Sequence, residues 1–233
     1  MSPPNPLPHP AASQTDAPGG VGLWAAVAVS YVVSPLALPP LVYGLVLAHV
    51  GASWAGVAWG AGIGLVFLSV VPLVYVGGMR LQGRIASLEI RDRTKRTEPF
   101  LVALGANGAA LAVVLGIDVA GRGLLAALVA CHALNTTLLV LITTRWKISV
   151  HCASVAGAVS TLAFVHRHVP GRVLDAGPAG AAVLAGGAGL TGLVLWARVR
   201  SRAHTPAQAA AGTGMGLVAP YLELVALSGA IGV

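Results

Sequence analysis

Apolar residues run along this chain in long blocks separated by short polar stretches. A membrane-crossing helix needs roughly 20 mostly apolar residues, and the blocks predict seven candidate segments, at 21–50, 54–77, 100–120, 124–144, 148–166, 179–197 and 206–231. The first contains Pro35, Pro39 and Pro40, so its helix is expected to kink or split. A bilayer tolerates that only where protein or water satisfies the freed backbone groups. The third and fourth segments are joined by a short link around Gly121 and Arg122, as an antiparallel helix pair requires. No internal repeat or composition shift marks a second domain, so residues 21–233 read as one bundle of six or seven spans. The first twenty residues, MSPPNPLPHPAASQTDAPGG, are rich in Pro, Ser and Ala without a basic leading region, and predict a disordered tail rather than a signal peptide.

Composition sharpens this picture. Of the 233 residues, 56% are hydrophobic and only 9% charged, which excludes ordinary water-soluble folds and predicts an all-α, polytopic membrane protein. Aromatics are scarce while Gly, Ala, Val and Leu abound, as suits helices that approach closely within a bilayer. The Gly-rich runs at 59–64 and 186–192 match no phosphate loop and read as helix-packing surfaces. Cys131 and Cys152, the only cysteines, fall in or beside apolar runs and support neither a disulfide framework nor a cysteine metal site. No metal or cofactor is predicted.

Charge is unevenly placed. If the spans alternate, the loops 78–99, 145–148 and 198–205 share one face and hold 11 of the 14 Lys and Arg residues, against Arg122, Arg167 and Arg172 on the other. The positive-inside rule makes the basic face cytoplasmic, in a bacterial inner membrane, with the N-terminal tail on the same side. Each of these loops leads directly into a helix: RDRTKRTEP, RWKISVH and RVRSRAHTP. Helix N-termini carry unpaired N–H groups and partial positive charge, so three of them converging beside several cations form an anion site. At a membrane rim the fitting anion is a phosphate on a lipid head group. Nucleic acid is a poor fit, because the cations stand next to spans with no room for a solvated groove.

These residues also carry a family resemblance. Ser149-Val150-His151 resembles a Ser-Gly-His motif, and Arg198, His204 and the fourth residue beyond it resemble Arg-x5-His-x3-Asp, both of the type 2 phosphatidic acid phosphatase family of lipid phosphatases and vanadium haloperoxidases. The first family motif, Lys-x6-Arg-Pro, falls on Arg91, Glu98 and Pro99 and is partly kept. The resemblance implies helices arranged as in lipid phosphate phosphatases and a two-step phosphoryl transfer through a phosphohistidine on a phosphorylated lipid. It makes His204 the nucleophile and His151 the general acid, with Arg198 and Ser149 holding phosphate oxygens. Arg91, Lys95 and Lys147 are further candidate phosphate contacts. Imidazoles suit both roles near neutral pH, and fixed cations stabilise charge on the transferring group.

Departures from the pattern bear on activity. Gln208 stands where the family has an Asp that orients the nucleophile; its amide oxygen can accept a hydrogen bond but brings no charge. Glu98 replaces an arginine and needs a cationic partner such as Lys95 or Arg96. Thr205-Pro206-Ala207-Gln208 is also a helix capping box in its own right. Of the remaining polar groups, His132 and Asn135 are expected to hydrogen-bond between helices, Glu223 to take a structural partner, and His49, His166 and His168 to sit in solvated rim positions. The functions in play are an integral-membrane lipid phosphatase, a lipid-phosphate transferase using an alcohol in place of water, and an anion-binding membrane protein with weakened catalysis.

Overall fold

Proline chemistry sets the first turn of the bundle. In this computed structural model, which describes residues 20–88, 90, 92–175 and 177–231, the first span is split. Helix α1 covers Val21–Val32, a 3-10 turn covers Pro35–Ala37, and α2 covers Leu38–His49. Pro40 has no N–H for the carbonyl of Leu36 four residues earlier, which leaves that oxygen without a helical donor. The hydroxyl of Ser69 supplies the missing bond, donating to Leu36 O at 2.5 Å. Ser69 comes from a π-helical stretch, Gly64–Val70, set between α3 (Trp54–Ile63) and α4 (Val71–Leu81). The stretch can lie this close because Gly64 has no side chain; a Cβ there would stand 2.7 Å from the backbone of Pro39 and Pro40.

Four further long helices and one central helix complete an all-α bundle. They are α5 (Thr97–Gly116), α6 (Arg122–Arg145), α7 (Val150–His168), α8 (Pro178–Arg200) and α9 (Pro206–Ile231). Among the described residues, six segments are long and apolar enough to cross a membrane: Val21–His49, Trp54–Leu81, Thr97–Gly116, Arg122–Arg145, Pro178–Arg200 and Pro206–Gly229. Helix α7 is the seventh predicted segment and is less apolar, with His151 near its start and His166, Arg167 and His168 at its end. Its position explains the difference. It packs against α2, α8 and α9, so protein rather than lipid surrounds most of its length. The predicted disordered tail lies outside the described residues.

Of the predicted glycine packing surfaces, Gly60, Gly64 and Gly187 do lie against neighbouring helices, whereas Gly62, Gly186, Gly189 and Gly192 meet nothing within 4 Å. Gly121 has φ +80° and closes the α5–α6 link against the side chains of Leu47 and Val50, a conformation and a clearance that glycine satisfies.

The end of the bundle remote from the basic loops is organised by His49, and here the expectation of a solvated rim histidine is corrected. Its side chain is fully buried. Nδ1 accepts the N–H groups of Leu174 (2.8 Å) and Val173 (3.2 Å), so the proton resides on Nε2, which donates to Val169 O at 3.0 Å. One neutral imidazole thus fastens the α7–α8 link onto the end of α2. His166 and His168 belong to the last turn of α7 and bond Leu174 O and the Tyr221 hydroxyl. Replacing His49 with Ala strands two buried backbone donors and one acceptor, and should lower stability by about 3 kcal/mol. Denaturant unfolding in detergent measures this, and an unchanged midpoint would contradict the assignment.

Candidate functional site

Two helix starts meet at the basic end of the bundle. Ser149 caps α7, its Oγ accepting the Cys152 N–H at 3.4 Å, and this puts His151 in the first turn. Thr205 opens α9 as a capping box with Pro206 at the first helical position. Thr205 Oγ1 accepts the Gln208 N–H at 3.3 Å, and Gln208 Oε1 accepts the Thr205 N–H at 3.2 Å. Between α8 and α9 the chain reverses through Arg202, a non-glycine residue at φ +54°, and the His204 N–H closes the turn on Arg198 O at 3.2 Å.

α7 and α9 are in backbone-to-backbone contact along a seam of small residues. A Cβ on Gly212 would collide with the Ser149 carbonyl, and one on Gly216 with the Ala153 carbonyl; Gly157 faces Pro220 one turn further on. Spacing of four on both helices is the small-xxx-small pattern of close membrane packing. At the rim the Ser149 N–H also bonds Gln208 O at 3.3 Å.

Beside this seam lies a cavity of about 500 Å³ between α6 and α7, closed by parts of α2, α4, α5 and α9. Its basic end is lined by Arg96, His151, Arg198 and His204, and its depth mostly by aliphatic side chains and proline rings. Tyr31, Leu73 and Leu88 line it too yet are 79%, 41% and 48% exposed. Tyr31 and Leu73 lie well inside the first two spans, so the mouth opens sideways between α1 and α4, towards lipid.

The predicted residues divide into those that face this cavity and those that support it. His151, His204 and Arg198 line it, and Arg198 is only 3% exposed. Ser149 is fully buried, serves as the cap of α7 and stands off the wall. Lys147 donates to Ala203 O at 2.9 Å and so ties the α6–α7 link to the α8–α9 turn. Lys95 is exposed and donates to Arg84 O at 2.8 Å, away from the cavity. Arg91 lies outside the described residues. Gln208 both caps α9 and holds His204, with Oε1 3.3 Å from Nδ1. Glu98 is paired, though with Arg84 and Tyr75 rather than with Lys95 or Arg96.

One residue that sequence reasoning did not single out is Arg96. It is 8% exposed and lines the cavity, with Nε donating to Ile90 O at 2.7 Å and Nη1 to Ile148 O at 3.4 Å. Its position immediately before α5 was the available signal. Glu223 has its expected partners, accepting from Asn135 Nδ2 at 2.6 Å and Cys131 Sγ at 3.1 Å. His132 lines the cavity rather than bridging helices.

The electrostatics follow from this packing. Burial, and then the cations of Lys147, Arg198 and Arg96, push His204 down to about 3, against a small opposing effect of the Gln208 bond. His204 is therefore neutral at pH 7. Because Gln208 Oε1 already receives the Thr205 N–H, the amide oxygen faces the ring and accepts the proton on Nδ1, leaving the lone pair on Nε2. Two guanidiniums and two imidazoles around one space are groups of the kind that hydrogen-bond a tetrahedral oxyanion.

The chain matches no protein-family profile, no curated protein and no solved structure. Its site rests on its own geometry.

Since the folded state keeps His204 unprotonated until about pH 3, whereas a free imidazole protonates near 6.5, acid favours the unfolded chain as pH falls through that window. Ring ¹⁵N shifts of His204 should stay those of a neutral imidazole from pH 7 to pH 5, and Gln208→Glu should move the titration upward. A wild-type ring that titrates near 6.5 would contradict the geometry.

Proposed function

We propose that the protein is an integral-membrane phosphatase that removes phosphate from a lipid through a phosphohistidine intermediate. The observation that carries this reading is that two imidazoles from separate helix starts, His151 and His204, line one laterally open cavity together with the buried guanidiniums of Arg96 and Arg198. In this account the phosphate head enters from the lipid side and its non-bridging oxygens settle on the two arginines. Nε2 of His204 attacks phosphorus while the bond to the lipid oxygen breaks, and His151 donates a proton to the departing alkoxide. His151 then takes a proton from water, whose oxygen attacks phosphorus and breaks the P–N bond, releasing phosphate and restoring both rings. Lys147 contributes field rather than contact, and the arginines supply the positive charge that the transferring group needs.

Gln208 sets the proton of His204 on Nδ1 but adds no negative charge, so the cationic phosphohistidine gains less stabilisation than a carboxylate would give. This favours a slow enzyme. It also supports a second reading, an anion-binding membrane protein with little turnover. A lipid-phosphate transferase would differ only in the acceptor, an alcohol replacing water. The excess of cations on this face supports a cytoplasmic orientation of the site, in what we propose is a bacterial inner membrane.

The test uses purified protein in detergent with EDTA present, offered phosphatidate, phosphatidylglycerol phosphate and a polyprenyl phosphate. Metal-independent phosphate release is expected, falling by about 10³-fold or more in His204→Ala and by about 10²-fold in His151→Ala. Equal release from all three proteins would contradict the phosphatase reading, and binding without release would select the second one.

A further inference from the structure

The cavity does not end at the imidazole pair. Its α7 wall continues from His151 through Ser154, Gly157 and Ala158 to Thr161, ten residues or roughly 15 Å of helix. Its α6 wall carries Leu139, Thr136, His132 and Leu128 on successive turns, and His132 lies thirteen residues before Arg145 at the rim. His132 is therefore deep within the membrane-crossing part of the bundle, roughly 20 Å of helix below Arg145.

The polar groups around it are satisfied by one another. Asn135 Nδ2 is taken by Glu223 Oε2 at 2.6 Å and by Cys131 O at 2.9 Å. Thr136 Oγ1 donates to the backbone carbonyl of His132 at 2.8 Å, and Tyr43 OH donates to Leu128 O at 3.2 Å. The imidazole of His132 is the exception: no described group hydrogen-bonds it, and its ring borders the cavity. A polar side chain at membrane depth that faces open space rather than a partner is a ligand-binding position by physical default. The ligand's complementary group must be uncharged. A second anion would meet the Glu223 carboxyl behind Asn135, and a cation would meet the field of Arg96 and Arg198 in the same cavity.

We propose that His132 forms a second, deep subsite that hydrogen-bonds an uncharged hydroxyl carried on the chain of an amphiphile, whose anionic head occupies the Arg96, Arg198, His151 and His204 end of the same cavity. The inference rests on the anion-site part of the functional reading and adds a requirement on the tail. The protein then selects among lipid phosphates by a polar group well down the chain from the phosphorus. A plain alkyl chain fills the same space but leaves the imidazole without a partner.

The experiment measures binding of dodecylphosphonate and of its ω-hydroxy analogue to the full-length protein in detergent by calorimetry; the P–C bond of both probes prevents hydrolysis. Wild type should bind the hydroxylated probe about tenfold more tightly. His132→Leu should bind both equally, with dodecylphosphonate affinity unchanged, and His132→Gln should keep part of the preference. Equal affinities in wild type, or a preference that survives in His132→Leu, would overturn the subsite. Dodecylphosphonate binding that is insensitive to Arg198→Gln would instead count against the anion site, and failure of both probes to bind wild type would remove the two together.

Discussion

Contact between the backbones of α7 and α9 is the constraint on which the rest of this structure depends. Where Gly212 meets the Ser149 carbonyl and Gly216 meets that of Ala153, no side chain separates the helices. In a bilayer, apolar burial gives little drive for helices to associate, so this close van der Waals fit decides which ones are neighbours. Its effect at the rim is specific. The seam fixes the start of α7 against the start of α9, and each start carries one imidazole in or just before its first turn. Lys147, bonded to Ala203 O, and Arg96, reaching Ile148 O, hold the adjoining loops in the same arrangement.

Burying four basic groups in a small space is costly, and the chain offsets this cost in two ways. His204 gives up its charge, so that it adds no cation to those of the arginines in the cavity wall. Arg96 in turn is held by the carbonyls of Ile90 and Ile148, and Glu98, the nearest acidic residue to it in sequence, is turned away to Arg84 and Tyr75. This leaves the Arg96 guanidinium on the cavity wall. The split first span serves the same end: the kink at Pro35 to Pro40, stabilised by Ser69, leaves Tyr31 and Leu36 along the cavity instead of a continuous helix that would close its side.

Much of this was legible in the sequence. Long apolar blocks give the all-α membrane bundle directly, because spanning length is a property of composition alone. The proline cluster announces a broken helix, and the motifs at the starts of α7 and α9 announce that His151, Arg198 and His204 come together. Side-chain direction was not legible. The family resemblance makes Ser149 a phosphate contact, whereas here its hydroxyl caps its own helix. Arg96 looks like one cation among many until its bonds to the carbonyls of Ile90 and Ile148 place it. His49 looks like a rim residue because it ends an apolar run, whereas a loop more than a hundred residues away folds over it. Gln208 shows that a capping role and an orienting role are not alternatives, since one amide oxygen serves both.

The seam and the proposed anion site can be tested together by titrating orthovanadate, a tetrahedral oxyanion, into detergent-purified wild-type protein and Gly216→Ala by calorimetry. A single added methyl would collide with the Ala153 carbonyl and pry α9 from α7. The account predicts that wild type binds vanadate and that the variant, still helical by circular dichroism, binds at least tenfold more weakly. Equal affinity in the two proteins, or no binding by wild type, would contradict it.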